Sequence, residues 1–304
     1  MALRMANQVF GGIETGGTKI LARLVDFRGR ACAEGRWPTT TPQAALEDLV
    51  RFITGMLPAG GRLAALGMAA FGPVVRDTHS PHYGRVLSTP KPGWAYSNLR
   101  AALAERFAVP VVLEHDVTAA ALAEWQSGAG QGMRSLAYVT VGTGIGAGLL
   151  IDGRPLEGAL HPEIGHLRLV RRAGDTVPSV CPFHADCAEG LVSGPAIARR
   201  LDERGRLADD PQGLELVADY LGNLAAALVL AWSPQRIVMG GGVMATPQLL
   251  AHVRRALTLT LSGYEVGEQV RREDFCVQPA FADSGLEGAL LLAQVAASAV
   301  PAPP

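Results

Sequence analysis

The feature that most constrains this chain is a strand–turn–strand unit that occurs twice. Val9-Phe10-Gly11-Gly12-Ile13-Glu14 runs into the turn Thr15-Gly16-Gly17-Thr18 and out through residues 19–26. About 126 residues later, residues 136–141 run into Gly142-Thr143-Gly144-Ile145-Gly146 and out through 147–151 to an Asp152-Gly153 turn. Short apolar runs bounded by Gly and Thr read as strands, and Asp-Gly is a hairpin signal. A repeat at domain spacing predicts two similar lobes rather than one continuous barrel. Helices are expected over 42–56, 96–107, 117–126, 215–231, 247–257 and 285–299. Further strands are expected over 63–71, 109–113 and 236–239, the last followed by a Gly240-Gly241-Gly242 loop. Strands alternating with helices predict an α/β fold. The Pro-Ala-Pro-Pro tail, 301–304, is expected to fray.

Composition narrows the function classes. With 48% hydrophobic and 18% charged residues the 304-residue chain is too apolar for disorder, and its 36 Gly and 20 Pro follow no triplet period. A net charge of −1 supplies no field for a nucleic acid or an anionic membrane, so the expected partner is a small molecule and neither of those surfaces. No run reaches 18 uninterrupted apolar residues and no signal-like region opens the chain, which predicts a soluble, cytoplasmic protein. Four cysteines, at 32, 181, 187 and 276, then read as thiols or metal ligands rather than a disulfide framework. Of 27 basic residues only Lys19 and Lys91 are lysines. Biased codon usage explains the arginines and leaves the two lysines as positions to inspect.

The second glycine turn is no dinucleotide fingerprint, because a strand and not a helix follows it, and no Gly-Lys-Ser/Thr tripeptide marks a Walker loop. Either turn alone reads as a plain tight turn. A hairpin tip of Gly and Thr can also aim backbone N–H groups and hydroxyls at phosphate oxygens. Two such tips, with Lys19 beside the first and Gly240-Gly241-Gly242 as a third element, predict a nucleotide cleft between lobes. Asp116, in Glu114-His115-Asp116-Val117-Thr118, stands where a strand gives way to a helix. It reads either as a helix cap or as a general base for a hydroxyl attacking a γ-phosphoryl group. His166, Cys181, His184 and Cys187 form H-x14-C-x2-H-x2-C, the ligand set of a closed, structural tetrahedral zinc site. Glu163 and Glu189 lie three and two residues from ligands of that set, so a metal knot would hold both acceptors in place.

Three of these segments resemble those of the actin-like sugar kinases. Glu14-x-Gly16-Gly17-Thr18-Lys19, Gly142-Thr143-Gly144-Ile145-Gly146 and Met239-Gly240-Gly241-Gly242-Val243 are similar to that family's phosphate-one, phosphate-two and adenosine segments. More narrowly, residues 9–298 resemble the ROK group of repressors, reading frames and kinases, and within it the bacterial fructokinases. Glu163-Ile164-Gly165-His166, Cys181-Pro182-Phe183-His184 and Cys187-Ala188-Glu189 with Ser193-Gly194 carry that likeness.

The resemblance implies an α/β, two-lobed actin-like fold of the duplicated ribonuclease H-like kind. Residues 1–116 would form a small lobe completed by a helix over 286–299, and 117–285 a large lobe with a zinc-binding segment at 161–194. ATP would be held by Gly16, Gly17, Thr18, Lys19, Gly142, Thr143, Gly144, Pro195, Gly240, Gly241 and Gly242. Mg²⁺ would be held mainly by phosphates and waters. Asp116 would be the catalytic base, and Gly72, Pro73, Glu163 and Glu189 would contact the sugar. Residues 89–94 match a small-lobe loop, in which Trp94 either stacks on a sugar or packs. Two departures, His115 for an Asn or Thr and Thr118 for an Asn, bear on the sugar contacts.

The implied reaction is phosphorylation of a hexose at its 6-hydroxyl, fructose first, by a protein expected to be a homodimer. Mannose, glucose or an N-acetylated amino sugar is the alternative substrate. A non-enzymatic sugar sensor would need a DNA-reading module, for which the eight residues ahead of the first strand leave no room.

Overall fold

The computed structural model describes residues 7–89, 91–158, 161–201, 205–264 and 267–299. Pro90 of the 89–94 loop and the 301–304 tail lie outside the described residues. In chain order the elements begin β1 (Gln8–Thr15), β2 (Lys19–Asp26), β3 (Ala31–Pro38), α1 (Pro42–Met56), β4 (Arg62–Ala70), α2 (Leu99–Phe107), β5 (Val111–His115) and α3 (Asp116–Ser127). They continue with β6 (Ser135–Val141), β7 (Ile145–Ile151), β8 (Arg154–Pro155), α4 (Ala188–Val192), α5 (Gly194–Leu201) and α6 (Pro211–Trp232). The last are β9 (Arg236–Gly240), α7 (Leu249–Leu261), β10 (Cys276–Val277) and α8 (Ser284–Ala299). The chain divides into two compact units, Met1–Ala123 with Asp283–Pro304, and Glu124–Ala282.

In the first unit the sheet order is β3-β2-β1-β4-β5, antiparallel across β3-β2-β1 and parallel across β1-β4-β5. Alternation in the strands sends Ile13, Ile20, Leu24, Leu66 and Met68 to a core with Leu49 and Ile53 of α1 and Leu103 of α2. Phe10, Val25 and Ala65 face the other way, against Leu290 and Ala293 of α8. That helix lies close on the sheet because Gly67 has no Cβ, and one added there would fall 1.9 Å from the Ala289 carbonyl oxygen.

Local chemistry sets the helix starts. Thr41 caps α1 by accepting the Ala44 amide at 3.3 Å, with Pro42 in the first turn. The helix expected from residue 96 begins only at Leu99, because Asn98 caps it through the Ala101 amide at 2.9 Å and Tyr96 sits at φ 65°. The helix expected from 247 begins at Leu249 for a similar reason, Gln248 being left-handed at φ 65°. The strand expected over 109–113 lies two residues later, paired from Val111 with Leu66 to His115 with Ala70, which carries Glu114 and His115 into the sheet.

The second unit repeats the design. Its sheet order is β10-β9-β6-β7-β8, antiparallel across β8-β7-β6 and parallel across β6-β9-β10. Each strand of the first sheet therefore has a counterpart in the second, and the α/β, duplicated actin-like class expected from the sequence is the fold observed. Among the described residues one helix, α6, is long and apolar enough to cross a membrane, and 61% of its most apolar window is buried in the core of its unit.

Candidate active site

Strand register brings the first group of predicted residues together. Thr15, Ala70 and His115 end three adjacent parallel strands in one aligned row. The Gly16–Lys19 turn, Gly72-Pro73 and Asp116 consequently emerge side by side at the carboxyl edge of the sheet, where α/β folds present reactive groups. The turn is closed by the Gly16 amide donating to the Lys19 carbonyl at 2.8 Å and is braced by the Thr39 hydroxyl on the Gly16 carbonyl at 2.8 Å. Gly17 and Thr18 are exposed. Among Gly16, Gly17, Gly142 and Gly144 none is left-handed. Gly142 leaves open space, whereas a Cβ on Gly144 would fall 2.7 Å from Glu189 Oε2 and one on Gly16 3.1 Å from the Lys19 carbonyl oxygen.

Asp116 opens α3, and its Oδ1 accepts the Val117 amide and lies 2.8 Å from His115 Nδ1. The side chain that accepts the Val117 amide and the candidate base are thus one and the same, about a quarter exposed. His115 is buried, and a Cβ on Gly72 would fall 2.4 Å from its Nε2, so the Gly72-Pro73 segment packs on this imidazole. Arg76 donates to Glu114 Oε2 at 2.8 Å behind it. Thr118 is buried in the first turn of α3.

Two acids complete the group, and the sequence reading had assigned them no role. Lys19 Nζ donates to Asp283 Oδ1 at 2.9 Å, although 264 residues separate them. Glu14, at the end of β1, is pushed up to about 7 by burial and then by the Asp116 carboxylate, with Lys19 pulling the other way. Its Oε2 is buried and takes no hydrogen bond among the described residues. Glu14 could have been suspected from its place in the glycine motif, whereas Asp283 reads only as a residue ahead of an apolar helix.

The second unit gathers the other glycines. Thr140 pairs with Gly240, so the Gly142–Gly144 turn and the Gly240–Gly242 loop leave neighbouring strand ends. Gly241 at φ 91° lies so close to the end of β6 that a Cβ there would meet the Val141 carbonyl oxygen at 2.4 Å. Gly194, opening α5, donates its amide to the Gly142 carbonyl at 2.7 Å, with Pro195 exposed beside it. Thr143 is exposed at the tip. Glu189 of α4 accepts the Ile145 amide at 3.0 Å and thereby faces the same turn. Glu163 is exposed just ahead of the short turn Ile164–His166.

The donor atoms of His166, Cys181, His184 and Cys187 all lie within 4.8 Å of one another, with Cys181 Sγ 3.8 Å from His166 Nδ1 and 3.7 Å from His184 Nδ1. Tetrahedral zinc, with bonds of about 2.3 Å to sulfur and 2.0–2.1 Å to nitrogen, sets such donors about 3.4–3.8 Å apart, so the set fits the ion. The polar segment 171–179 leads to this set. Asp175 ties it down: it takes a bidentate pair from Arg200 at 2.7 and 3.0 Å and the Tyr220 hydroxyl at 2.6 Å. Burial pushes Asp175 up, but these donors outweigh it and hold its carboxyl at about 2. Trp94 is 1% exposed, gives its Nε1 hydrogen to the Thr40 carbonyl at 2.7 Å and meets Phe71 edge-on at 5.0 Å, so it packs.

Comparison with known proteins matches residues 10–296 to the ROK family. A fructokinase of Zymomonas mobilis subsp. mobilis is 40% identical over 296 residues, 95% of this chain and 97% of that protein. A fructokinase of Pediococcus pentosaceus is 35% identical over 95% of this chain and 98% of its own. Among solved structures, a ROK hexokinase from Thermus thermophilus is 30% identical with a TM-score of 0.72, covering 94% of this chain and 98% of that one. A ROK family glucokinase from Streptomyces griseus, in complex with glucose and AMPPNP, is 27% identical with a TM-score of 0.76 over 94% and 99%. The chain belongs to the ROK family.

Proposed function

We propose that this protein is an ATP-dependent sugar kinase that converts fructose to fructose 6-phosphate. One observation carries the chemistry: a carboxylate, Asp116, and a glycine turn, Gly16–Lys19, leave adjacent parallel strand ends in register. Near full-length identity to fructokinases supports the choice of sugar.

In this reading the 6-hydroxyl oxygen of fructose attacks the γ-phosphorus of ATP, the bond from that phosphorus to the β–γ bridging oxygen breaks, and the hydroxyl proton passes to Asp116. Gly16, Gly17, Thr18, Gly142, Thr143 and Gly144 offer amides and hydroxyls to phosphate oxygens, and Lys19 offsets their charge. Pro195 and Gly240–Gly242 lie toward the adenosine, while Gly72, Pro73, Glu163 and Glu189 orient the sugar. Mg²⁺, held by phosphates and waters, would neutralise phosphate charge, and the buried, unpartnered Glu14 Oε2 suits a hydrated cation nearby. Zinc on His166, Cys181, His184 and Cys187 would be structural, since four protein ligands leave no open position. The same reading takes a cytoplasmic homodimer as the working form.

Glucose is the second candidate substrate, because glucokinases of Streptomyces coelicolor and Streptomyces lividans are 32% identical over 64% of the chain. ADP release measured across fructose, glucose, mannose and N-acetylated amino sugars tests the reading. Fructose is expected to give the highest kcat/KM, and turnover of none of them would sink it.

A further inference from the structure

In a chain that writes 25 of its 27 cations as Arg, both lysines bear on one turn. Lys19 follows the Gly16-Gly17 tip and is neutralised by Asp283 at 2.9 Å. Lys91 arrives from a different loop, 74 residues away in sequence, and donates its ammonium to the Gly17 carbonyl. Its loop is fixed from below: the Trp94 amide donates to the Lys91 carbonyl at 3.2 Å, and the Trp94 ring is buried and hydrogen-bonded to Thr40. The backbone is therefore anchored while the flexible stem reaches outward.

The company Lys91 keeps is unusual for a cation. Its Nζ lies 5.4 Å from the centroid of the Phe71 ring and against one neutral carbonyl, and no carboxylate pairs with it among the described residues. A part-desolvated ammonium without a counter-ion favours an arriving anion, and burial already pushes its pKa down. An ammonium is a compact point charge on a rotatable stem, suited to following a group that moves, whereas a guanidinium is a fixed planar fork. The Gly17 tip at which this charge is parked is the one that, in the kinase reading above, takes the nucleotide's terminal phosphates.

We propose that Lys91 binds the γ-phosphoryl group of ATP during its transfer, leaving the Gly17 carbonyl to place its charge on the phosphoryl oxygens. The inference rests on the kinase reading and adds a catalytic residue to it. Charge develops on the equatorial oxygens of the group in flight, where a positioned cation contributes most. Lys19, held by Asp283, is less able to follow it.

The test uses the full chain and the variants Lys91→Met and Lys91→Arg, with binding of ADP and of the non-hydrolysable analogue AMPPNP measured beside kinetics. Lys91→Met is expected to lower kcat about 10²- to 10³-fold, the usual cost of removing one donor to developing charge. Its AMPPNP affinity should fall about 10-fold while ADP affinity and KM for fructose stay within about threefold, and Lys91→Arg should recover at least part of kcat. A Lys91→Met enzyme with kcat within threefold of the parent overturns the proposal. So does equal loss of ADP and AMPPNP, since Lys91 would then only shape the Gly17 turn. If the parent itself phosphorylates no hexose, the kinase reading fails separately, and the ADP-against-AMPPNP comparison still judges Lys91. Thermal unfolding of both variants is expected to match the parent, and if Lys91→Met does not fold, the same comparison on Lys91→Gln decides: kcat within threefold of the parent with unchanged AMPPNP affinity would overturn the proposal.

Discussion

Glu189 Oε2 accepts the Ile145 amide at 3.0 Å, and this bond joins the segment that carries Cys181, His184 and Cys187 to the second glycine turn. Glu189 lies in the helix that Cys187 caps by accepting the Gly190 amide on its sulfur at 3.3 Å. Gly165, next to His166, presses on the same strand end, where a Cβ would fall 1.9 Å from the Ile145 carbonyl oxygen. The proposed zinc site and the proposed phosphate turn are thus in direct contact within their unit.

Gly144→Ala tests that joint. The new Cβ would sit 2.7 Å from Glu189 Oε2, so the carboxylate must leave the Ile145 amide. The expected result is a loss of about 1 kcal/mol of stability and a several-fold rise in KM for ATP with the fold retained. Nucleotide titration and urea unfolding measure the two effects, and unchanged values for both would show that the turn does not depend on this contact.

Zinc removal has a larger expected effect. Cys181→Ser deletes the sulfur that faces both His166 and His184. Metal analysis should find about one zinc per chain in the parent and almost none in the variant, with stability lower by about 3 kcal/mol or more. Full occupancy in Cys181→Ser would contradict the ligand set.

Glu14 makes stability depend on pH in a direction opposite to most acids. Its pKa of about 7 in the folded chain exceeds the ordinary 4.5, so between these values the folded state holds a proton that the unfolded chain has released. Stability should therefore fall as pH rises through that window, by up to about 3 kcal/mol. Glu14→Gln should flatten the profile. Urea unfolding at pH 5 and pH 8 without nucleotide reads this, and a variant that keeps the parental slope would remove Glu14 as its source.

What the sequence disclosed follows from the range of the interactions. The duplicated glycine hairpins, α1 and the cluster of His166, Cys181, His184 and Cys187 are written in short spacings, and they were legible. β3 was not: Ala31–Pro38 is a largely exposed edge strand whose Gly35 and Pro38 break any apolar rhythm. The start of α2 at Leu99 depended on a cap by Asn98 that competes with a helical-looking pattern from residue 96. Lys19 with Asp283, and Arg200 with Asp175, join residues that only the folded chain makes neighbours. The Asp116 site was legible as an acid at a strand end, and its alignment with the Gly16 turn needed the register of three parallel strands.

The most direct test of the account is Asp116→Asn. The side chain keeps its size and an oxygen for the Val117 amide, so the protein should fold and bind ATP as the parent does. It should lose about 10²- to 10⁴-fold in kcat for fructose phosphorylation, the usual contribution of a positioned base. A variant that retains parental kcat would contradict the assignment of this carboxylate and the mechanism built on it.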